Sequence, residues 1–273
     1  MDKNKEKPKK KHVEPEEEED NEEEEEQKED QLGEDFVKDV RVLTYTSEAG
    51  KIADEGLKFV ISLSSPGAKI TEIIQKGDKF IRDQLEKCFT KKKFMKSISY
   101  PISIAVNEVC GNFNPLEGEE TKDLNEYLIL SEGDLVKIDL GVQIEGLPAL
   151  VSHTIICSAK NDVVTGRKAD IILANYYAIQ VALRMMHTNK TNNEITAMIQ
   201  KVAEAYKVVP VEGVLSHRMK RDIIDGPETI INKITFDQKV ETRNFIPGDI
   251  FGLDIMFSTG EGIPKEVLII FYL

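Results

Sequence analysis

The sequence of 273 residues contains no tryptophan and only three cysteines. Cys88, Cys110 and Cys157 show no paired or C-x-x-C spacing, so they indicate a reducing compartment rather than a disulfide framework. No apolar run is long enough to span a bilayer, and the N-terminus lacks the features of a secretory signal. These absences predict a protein of the cytosol or nucleus without a membrane partner. No aromatic-rich platform for RNA bases is visible in the sequence either.

Negative charge is concentrated at the N-terminus. The formal net charge is -13, and residues 1–35 contain 7 Lys against 17 Asp and Glu. Residues 36–273 therefore hold a net charge of only -3. Dense blocks of like charge cannot bury apolar surface, so residues 1–35 are predicted to be a disordered charged tail. Residues 36–273 are predicted to form one globular domain.

The tail has two blocks of opposite charge. Lysines are concentrated within residues 3–11, and acidic residues dominate residues 14–30. The lysines are typical of a nuclear-localisation or phosphate-contacting segment, but a solvated arm without a dedicated partner has the same composition. The adjacent acidic block would compete with phosphate for the lysines.

A seven-residue segment occurs twice, 115 residues apart. Residues 133–139 read Gly-Asp-Leu-Val-Lys-Ile-Asp, and residues 248–254 read Gly-Asp-Ile-Phe-Gly-Leu-Asp. The spacing is too long for a solenoid repeat and indicates one domain built from two related halves. Each copy ends on an inward-pointing aspartate, Asp139 or Asp254, and paired carboxylates at a shared centre usually indicate metal chemistry.

Hydrophobic periodicity predicts an α+β domain with helices packed on one face of an antiparallel sheet. The predicted helices cover residues 47–63, 69–90, 166–186 and a segment ending at Tyr206 that begins with a capping box at Thr191 and Glu194. The predicted strands cover residues 102–110, 134–144, 149–156, 207–214 and 249–258, with a hairpin turn at residues 145–146.

Several segments in the same order resemble one known family. They are residues 100–107 (Tyr-Pro-Ile-Ser-Ile-Ala-Val-Asn), 132–141, 152–154, 164–170, 211–220, 223–226 and 258–262. From about Val40 to Glu266, the sequence resembles the pita-bread (creatinase/aminopeptidase) fold of type II methionine aminopeptidases. Within that group it is most similar to the proliferation-associated (ErbB-receptor-binding) proteins, the non-peptidase branch. The resemblance implies two pseudo-symmetric halves.

The resemblance also implies that the metal site is incomplete. Active aminopeptidases of this group hold two metal ions with two Asp, one His and two Glu, and those positions correspond here to Asp139, Leu150, His217, Asp254 and a residue beyond the end of the chain. Leu150 stands where the bridging aspartate is expected, and Asp254 is one methylene shorter than glutamate. The histidine that assists substrate binding corresponds to Asn112, which cannot act as an acid or base at neutral pH.

The ligand set therefore predicts a vestigial polar cluster at Asp139, His217 and Asp254, with no metal, no other cofactor and no catalytic residue. A weak single-metal site is the alternative. His12 and His153 are interpreted as partly exposed residues without companion ligands. The sequence predicts no peptidase activity and no small-molecule substrate.

The family branch implies a partner that is a ribosomal subunit or structured RNA, with regulatory proteins as further partners. The implied roles are ribosome biogenesis, translation or growth regulation, in the cytoplasm and the nucleus, including the nucleolus. Two basic clusters are the RNA-binding candidates: Lys91, Lys92, Lys93 and Lys96, and Arg218, Lys220 and Arg221. Both clusters could instead be solvated loops or helix ends, where lysines favour a helix C-terminus.

Two other functions remain open at the level of sequence. One is an active metal-dependent methionine aminopeptidase, against which Leu150 argues directly. The other is a protein-interaction module that acts through its acidic tail. The C-terminal half is expected to be incomplete, because the apolar ending at residues 266–273 does not resemble the family and the family's lysine-rich C-terminal element is missing. A truncated product or an incomplete gene model would explain that ending.

Overall fold

The computed structural model describes residues 40–91, 93–115, 125–160, 163–236 and 238–265. The charged tail, Lys92 and the apolar ending at residues 266–273 lie outside the described residues, so the predictions for them stay predictions. Within the described ranges, no helix is long and apolar enough to cross a membrane.

The first half is a three-stranded antiparallel sheet covered by two long helices. Its elements are α1 (Val40–Leu63), α2 (Ile70–Lys87), β1 (Lys96–Val106), the short α3 (Asn125–Leu128), β2 (Leu135–Ile144) and β3 (Leu147–Ile156). The strands follow the order β1-β2-β3, and α1 packs on β2 and β3 while α2 packs on β1. The predicted packing of helices on one face of the sheet is confirmed.

Strands β2 and β3 form a hairpin because of the two residues that join them. Glu145 and Gly146 have φ values of 53° and 72°, which fit the tight turn whose twist matches that of the flanking strands. Along β2, Ile138, Leu140 and Val142 are fully buried beneath the helices. The alternate residues, Asp139 among them, therefore point to the opposite face of the sheet.

The second half repeats the pair of helices but has shorter strands. Its elements are α4 (Gly166–Met185), α5 (Asn192–Tyr206), β4 (Val209–Pro210), β5 (Leu215–Met219), β6 (Thr229–Ile231), β7 (Ile250–Gly252) and β8 (Phe257–Ser258). The strands form a sheet of order β6-β5-β7 and a separate β4-β8 pair. Each half has its own hydrophobic cluster, and the cluster of the second half includes Ala174, Ala178 and Ala182 of α4.

Equivalent contacts recur at corresponding places in the two halves. The residue preceding α2, Lys69, forms an isolated β-bridge with Ile129, and the residue preceding α5, Thr191, forms one with Asn244. The Gly-Asp turns also match, because the backbone N–H of each aspartate lies 3.2 Å from the carbonyl oxygen three residues earlier. The interpretation of two related halves is thus supported by local geometry.

Most predicted elements are present, with corrections at their ends. The capping box at Thr191 and Glu194 is confirmed, as are the hairpin and the paired helices. The strand predicted over residues 102–110 instead covers Lys96–Val106, and its register with β2 shifts between Ile98 and Tyr100 and again across Pro101. The continuous strands predicted over 207–214 and 249–258 are wrong: only two residues of the first are strand, and the second is interrupted between β7 and β8.

Candidate functional site

The two repeated aspartates face a common centre between the halves. Asp139 lies on β2, opposite Ser103 of β1 and Ser152 of β3. Burial, and to a smaller extent the negative charge of Asp254, raise the pKa of the Asp139 carboxyl to about 6, while Lys137 opposes the shift. The interaction between the carboxylates shows that the halves bring the two repeats together, as the sequence predicted.

Asp254 is held in place by Ser216 of β5. The Asp254 backbone N–H donates to Ser216 Oγ over 2.9 Å, and the Ser216 hydroxyl donates back to the Asp254 carbonyl over 3.1 Å. The Asp254 side chain remains accessible to solvent, yet surrounding protein raises its pKa by desolvation and His217 partly offsets the rise. Sequence reasoning missed Ser216, although it stands directly before His217.

His217 also points to this centre from β5. Its Nδ1 lies 2.9 Å from the carbonyl oxygen of Gly226. A carbonyl can only accept a hydrogen bond, so Nδ1 carries the proton and Nε2 keeps its lone pair in the neutral ring. The imidazole is thus oriented by its neighbour as a metal-binding histidine would be.

Tyr100 and Asn112 border the same centre from β1 and the loop that follows it. The Tyr100 hydroxyl donates to Asn112 Oδ1, and Asn112 adopts a left-handed φ of 57°. Burial raises the pKa of Tyr100, and the charges of Asp139 and Asp254 add to that rise. Asn112, which the resemblance places at a histidine position of active aminopeptidases, is therefore a hydrogen-bond acceptor here.

Leu150 lies at the junction of the two halves. A Cβ atom placed on Gly141 of β2 would be 2.4 Å from Leu150 Cδ2, and one placed on Gly252 of β7 would be 3.3 Å from Leu150 Cδ1. The isobutyl group therefore packs against a strand of each half. The position that the resemblance assigns to a bridging carboxylate is filled by hydrocarbon.

The residues at this centre do not fit the two-metal site of the related aminopeptidases. Leu150 offers no lone pair, and two carboxylates (Asp139 and Asp254) with one neutral imidazole (His217) are too few ligands to bind and separate two dications. Among the residues that the structure describes, no group of three or more His, Cys, Asp and Glu side chains is arranged to hold a metal ion.

Replacing Asp139 with asparagine is expected to stabilise the protein near neutral pH. The folded protein binds the Asp139 proton more tightly than the unfolded chain, so stability falls as pH rises from the usual pKa of 3.8 through about 6. A pKa shift of that size corresponds to about 2–3 kcal/mol of the free energy of unfolding. Asp139→Asn should raise the free energy of unfolding by that amount at pH 7 but not at pH 4. Urea unfolding at both pH values measures the difference. Equal effects at pH 4 and pH 7 would contradict the assignment.

The first basic cluster is only partly available for phosphate. Lys91 and Lys93 are exposed in the loop after α2, and Lys92 lies outside the described residues. Lys96 donates to the carbonyl oxygen of Cys88 over 2.8 Å and so caps the C-terminal end of α2. Exposed Lys87, in the last turn of α2, extends the cluster in a way that sequence reasoning missed.

The second basic cluster is largely used in internal ion pairs. Arg218 Nε lies 2.8 Å from Asp249 Oδ1, and Arg218 Nη1 lies 2.9 Å from Glu228 Oε1, with only 14% of the Arg218 side chain exposed. Lys220 lies 3.5 Å from the same Glu228 oxygen, and Arg221 donates to the carbonyl oxygen of Glu145. The prediction that Arg218 contacts phosphate is replaced by a structural role.

The interpretation of His153 as a partly exposed residue without companion ligands agrees with its place in the structure. His153 is exposed on β3, paired across the hairpin with Ile138. No shared ligand cluster includes His153 within the described part of the chain. His12 lies outside the described residues.

The sequence and the fold match a known family. Residues 45–268 match the model of metallopeptidase family M24, and the chain belongs to that family. A solved structure of a thermophilic Arx1 has the same pita-bread fold, with a TM-score of 0.75 and 30% identity, over 84% of this chain and 66% of that one.

Within the family, the chain is similar to proliferation-associated proteins, as the sequence predicted. It is 42% identical over 235 residues to proliferation-associated protein A of Dictyostelium discoideum, covering 85% of this chain and 59% of the relative. It is 35% identical over 213 residues to the curved DNA-binding protein of Schizosaccharomyces pombe, covering 77% of this chain and 54% of the relative. The chain thus spans less than two thirds of the length of these relatives.

Proposed function

We propose that this chain is a non-catalytic member of the M24 family that binds structured RNA or a ribosomal subunit. The observation that carries the absence of catalysis is Leu150, packed between Gly141 and Gly252 where a bridging ligand would be needed. Without that ligand, the centre cannot hold the metal pair that activates water and polarises a peptide carbonyl. The orientation of His217 is then a structural remnant.

The proposal of a nucleic-acid partner rests on relatives and on charge. One relative is named a curved DNA-binding protein. The family branch that the sequence resembles implies a partner that is structured RNA or a ribosomal subunit. Lys87, Lys91 and Lys93 are exposed at the end of α2, where they could contact phosphates without sequence specificity. The proposed roles are ribosome biogenesis, translation or growth regulation in the cytoplasm and nucleolus, and regulatory proteins are proposed as further partners.

Binding to ribosomal RNA across a salt series tests the partner. The variant Lys91→Glu/Lys92→Glu/Lys93→Glu is expected to bind more weakly and to lower the slope of log K against log salt concentration by roughly 2, because about 0.7–0.9 is lost for each phosphate contact. The matched control is Lys51→Glu/Lys58→Glu/Lys76→Glu, which changes net charge equally on other surfaces. Equal losses in both variants would contradict a site at the end of α2.

Release of methionine from a peptide tests the absence of catalysis on the same sample. Incubation with manganese or cobalt is expected to give no release, because the ligand set is incomplete. Metal-dependent release would support the active aminopeptidase instead. The third function, a module acting through its acidic tail, predicts that deletion of residues 1–35 abolishes partner binding while the Lys91–Lys93 variant retains it.

A further inference from the structure

Helix α4 has an exposed apolar stripe. Leu173, Tyr176, Tyr177 and Leu183 have 44%, 56%, 47% and 54% of their surface exposed. These positions follow a spacing of three, four and seven residues, so they lie along one side of the helix, opposite the buried Ala174, Ala178 and Ala182. Only Gln180 interrupts the stripe, and an apolar stripe along a helix is typical of a surface that pairs with another helix.

The pseudo-symmetry of the fold shows that this stripe is unusual for its position. Helices α1 and α4 each end six residues before the N-cap of the next helix, so Leu173, Tyr176 and Tyr177 correspond to Lys51, Asp54 and Glu55 of α1. On α1 these outward positions are charged, and Lys51 and Asp54 form surface ion pairs along the helix. The same architecture therefore does not require apolar residues at these three positions, although Leu183 corresponds to the apolar Ile61.

The charges beside the stripe are complementary to those of a second copy. Asp170, Tyr177 and Arg184 are spaced by seven residues and lie along one edge of the stripe. In an antiparallel helix pair centred on Tyr177, Asp170 of one copy would face Arg184 of the other, and the symmetry would form that ion pair twice. A parallel arrangement would place like charges together.

Both charged groups can reach across such a seam. Arg184 Nη1 donates to the backbone and side-chain oxygens of Gln180, which is a solvent-exposed arrangement. Asp170 lies 3.3 Å from Arg167, whose guanidinium is also held by the carbonyl oxygens of Tyr206 and Lys207. Asp170 can therefore accept a second cation without losing the position of Arg167.

We propose that the apolar stripe of α4 pairs two copies of this chain, antiparallel about a two-fold axis at Tyr177, with reciprocal Asp170–Arg184 ion pairs. The surface is separate from the lysines at the end of α2, so a substitution that abolishes dimerisation is expected to leave RNA binding intact, and the reverse. The stripe is short, which makes the dimer concentration-dependent rather than permanent.

Sedimentation equilibrium of the full chain, from about 1 to 200 µM, tests the dimer. The wild-type protein is expected to reach twice the monomer mass at the upper end, and Leu173→Glu/Leu183→Glu is expected to remain monomeric. Asp170→Arg and Arg184→Asp are each expected to weaken dimerisation roughly tenfold, since each removes two surface ion pairs worth about threefold apiece. The double variant Asp170→Arg/Arg184→Asp should restore the wild-type dissociation constant within about threefold.

The control is Asp54→Arg on α1, which changes charge at the outward position of the equivalent helix and is expected to leave the dissociation constant unchanged. Circular dichroism of each variant checks that the helices are intact. A wild-type protein that stays monomeric at about 200 µM would overturn the proposal. A dimer that resists the Leu173→Glu/Leu183→Glu change, or charge reversals without rescue in the double variant, would also overturn it.

Discussion

Replacing Asp249 with alanine is expected to lower the free energy of unfolding by about 3–5 kcal/mol, because it removes a buried carboxylate that pairs with Arg218 and Arg243. Only 4% of the Asp249 side chain is exposed. Its carboxylate accepts from Arg218 over 2.8 Å and from both terminal nitrogens of Arg243 over 2.9 and 3.0 Å. It also accepts the backbone N–H of Ile246 over 3.0 Å, which holds the Gly-Asp turn before β7. Urea denaturation measures the loss.

Asp134, in the first half of the domain, provides a matched control for the substitution of Asp249. Asp134 occupies the equivalent turn and accepts the backbone N–H of Ser131 over 2.7 Å and the side chain of Asn107 over 2.9 Å. Those bonds are exposed and involve no cation, so Asp134→Ala is expected to cost about 1 kcal/mol. If both substitutions cost the same, the ion pairs around Asp249 add nothing to the turn itself.

Replacing Leu150 with aspartate is expected to destabilise the protein by about 2–4 kcal/mol at pH 7.5 rather than create an enzyme. The new carboxylate would lose the apolar contacts with Gly141 and Gly252 and would join two acids, Asp139 and Asp254, whose pKa values are already raised. A third negative charge would raise them further. Part of the loss should return at pH 5, where the carboxyls become protonated.

Leu150→Asn separates charge from shape in this experiment. Asparagine matches aspartate in size but does not ionise, so it is expected to lose packing without the additional pH dependence. Urea unfolding of both variants at pH 5 and pH 7.5 measures the difference. Identical pH profiles would show that the carboxylates are too far apart to interact. Added manganese that stabilises Leu150→Asp strongly would show that the remaining ligands still form a metal site.

The repeated segment made the centre of the fold predictable. Two Gly-Asp turns followed by alternating apolar residues required two strands with equivalent roles, and the structure brings Asp139 and Asp254 together accordingly. The capping box at Thr191 and the hairpin turn at residues 145–146 are local signals, and local signals are readable because their partners lie within three residues.

Features that depend on distant partners could not be predicted in this way. Arg218 reads as part of an exposed basic cluster, but its carboxylate partner, Asp249, follows 31 residues later and meets it only in the folded sheet. The break between β7 and β8 likewise contains Asp254, whose backbone N–H and carbonyl bond to the hydroxyl of Ser216, 38 residues earlier in the chain. In both cases, tertiary hydrogen bonds override the local pattern.

The contact between Leu150, Gly141 and Gly252 links three positions on three different strands. Any side chain at residue 141 would collide with Leu150, and a smaller residue at 150 would open a gap beside two glycines. Substitutions at these three positions are therefore coupled and have to be made together. Building a hydrolase on this fold would therefore require the packing between these three strands to be redesigned before any metal ligand is added.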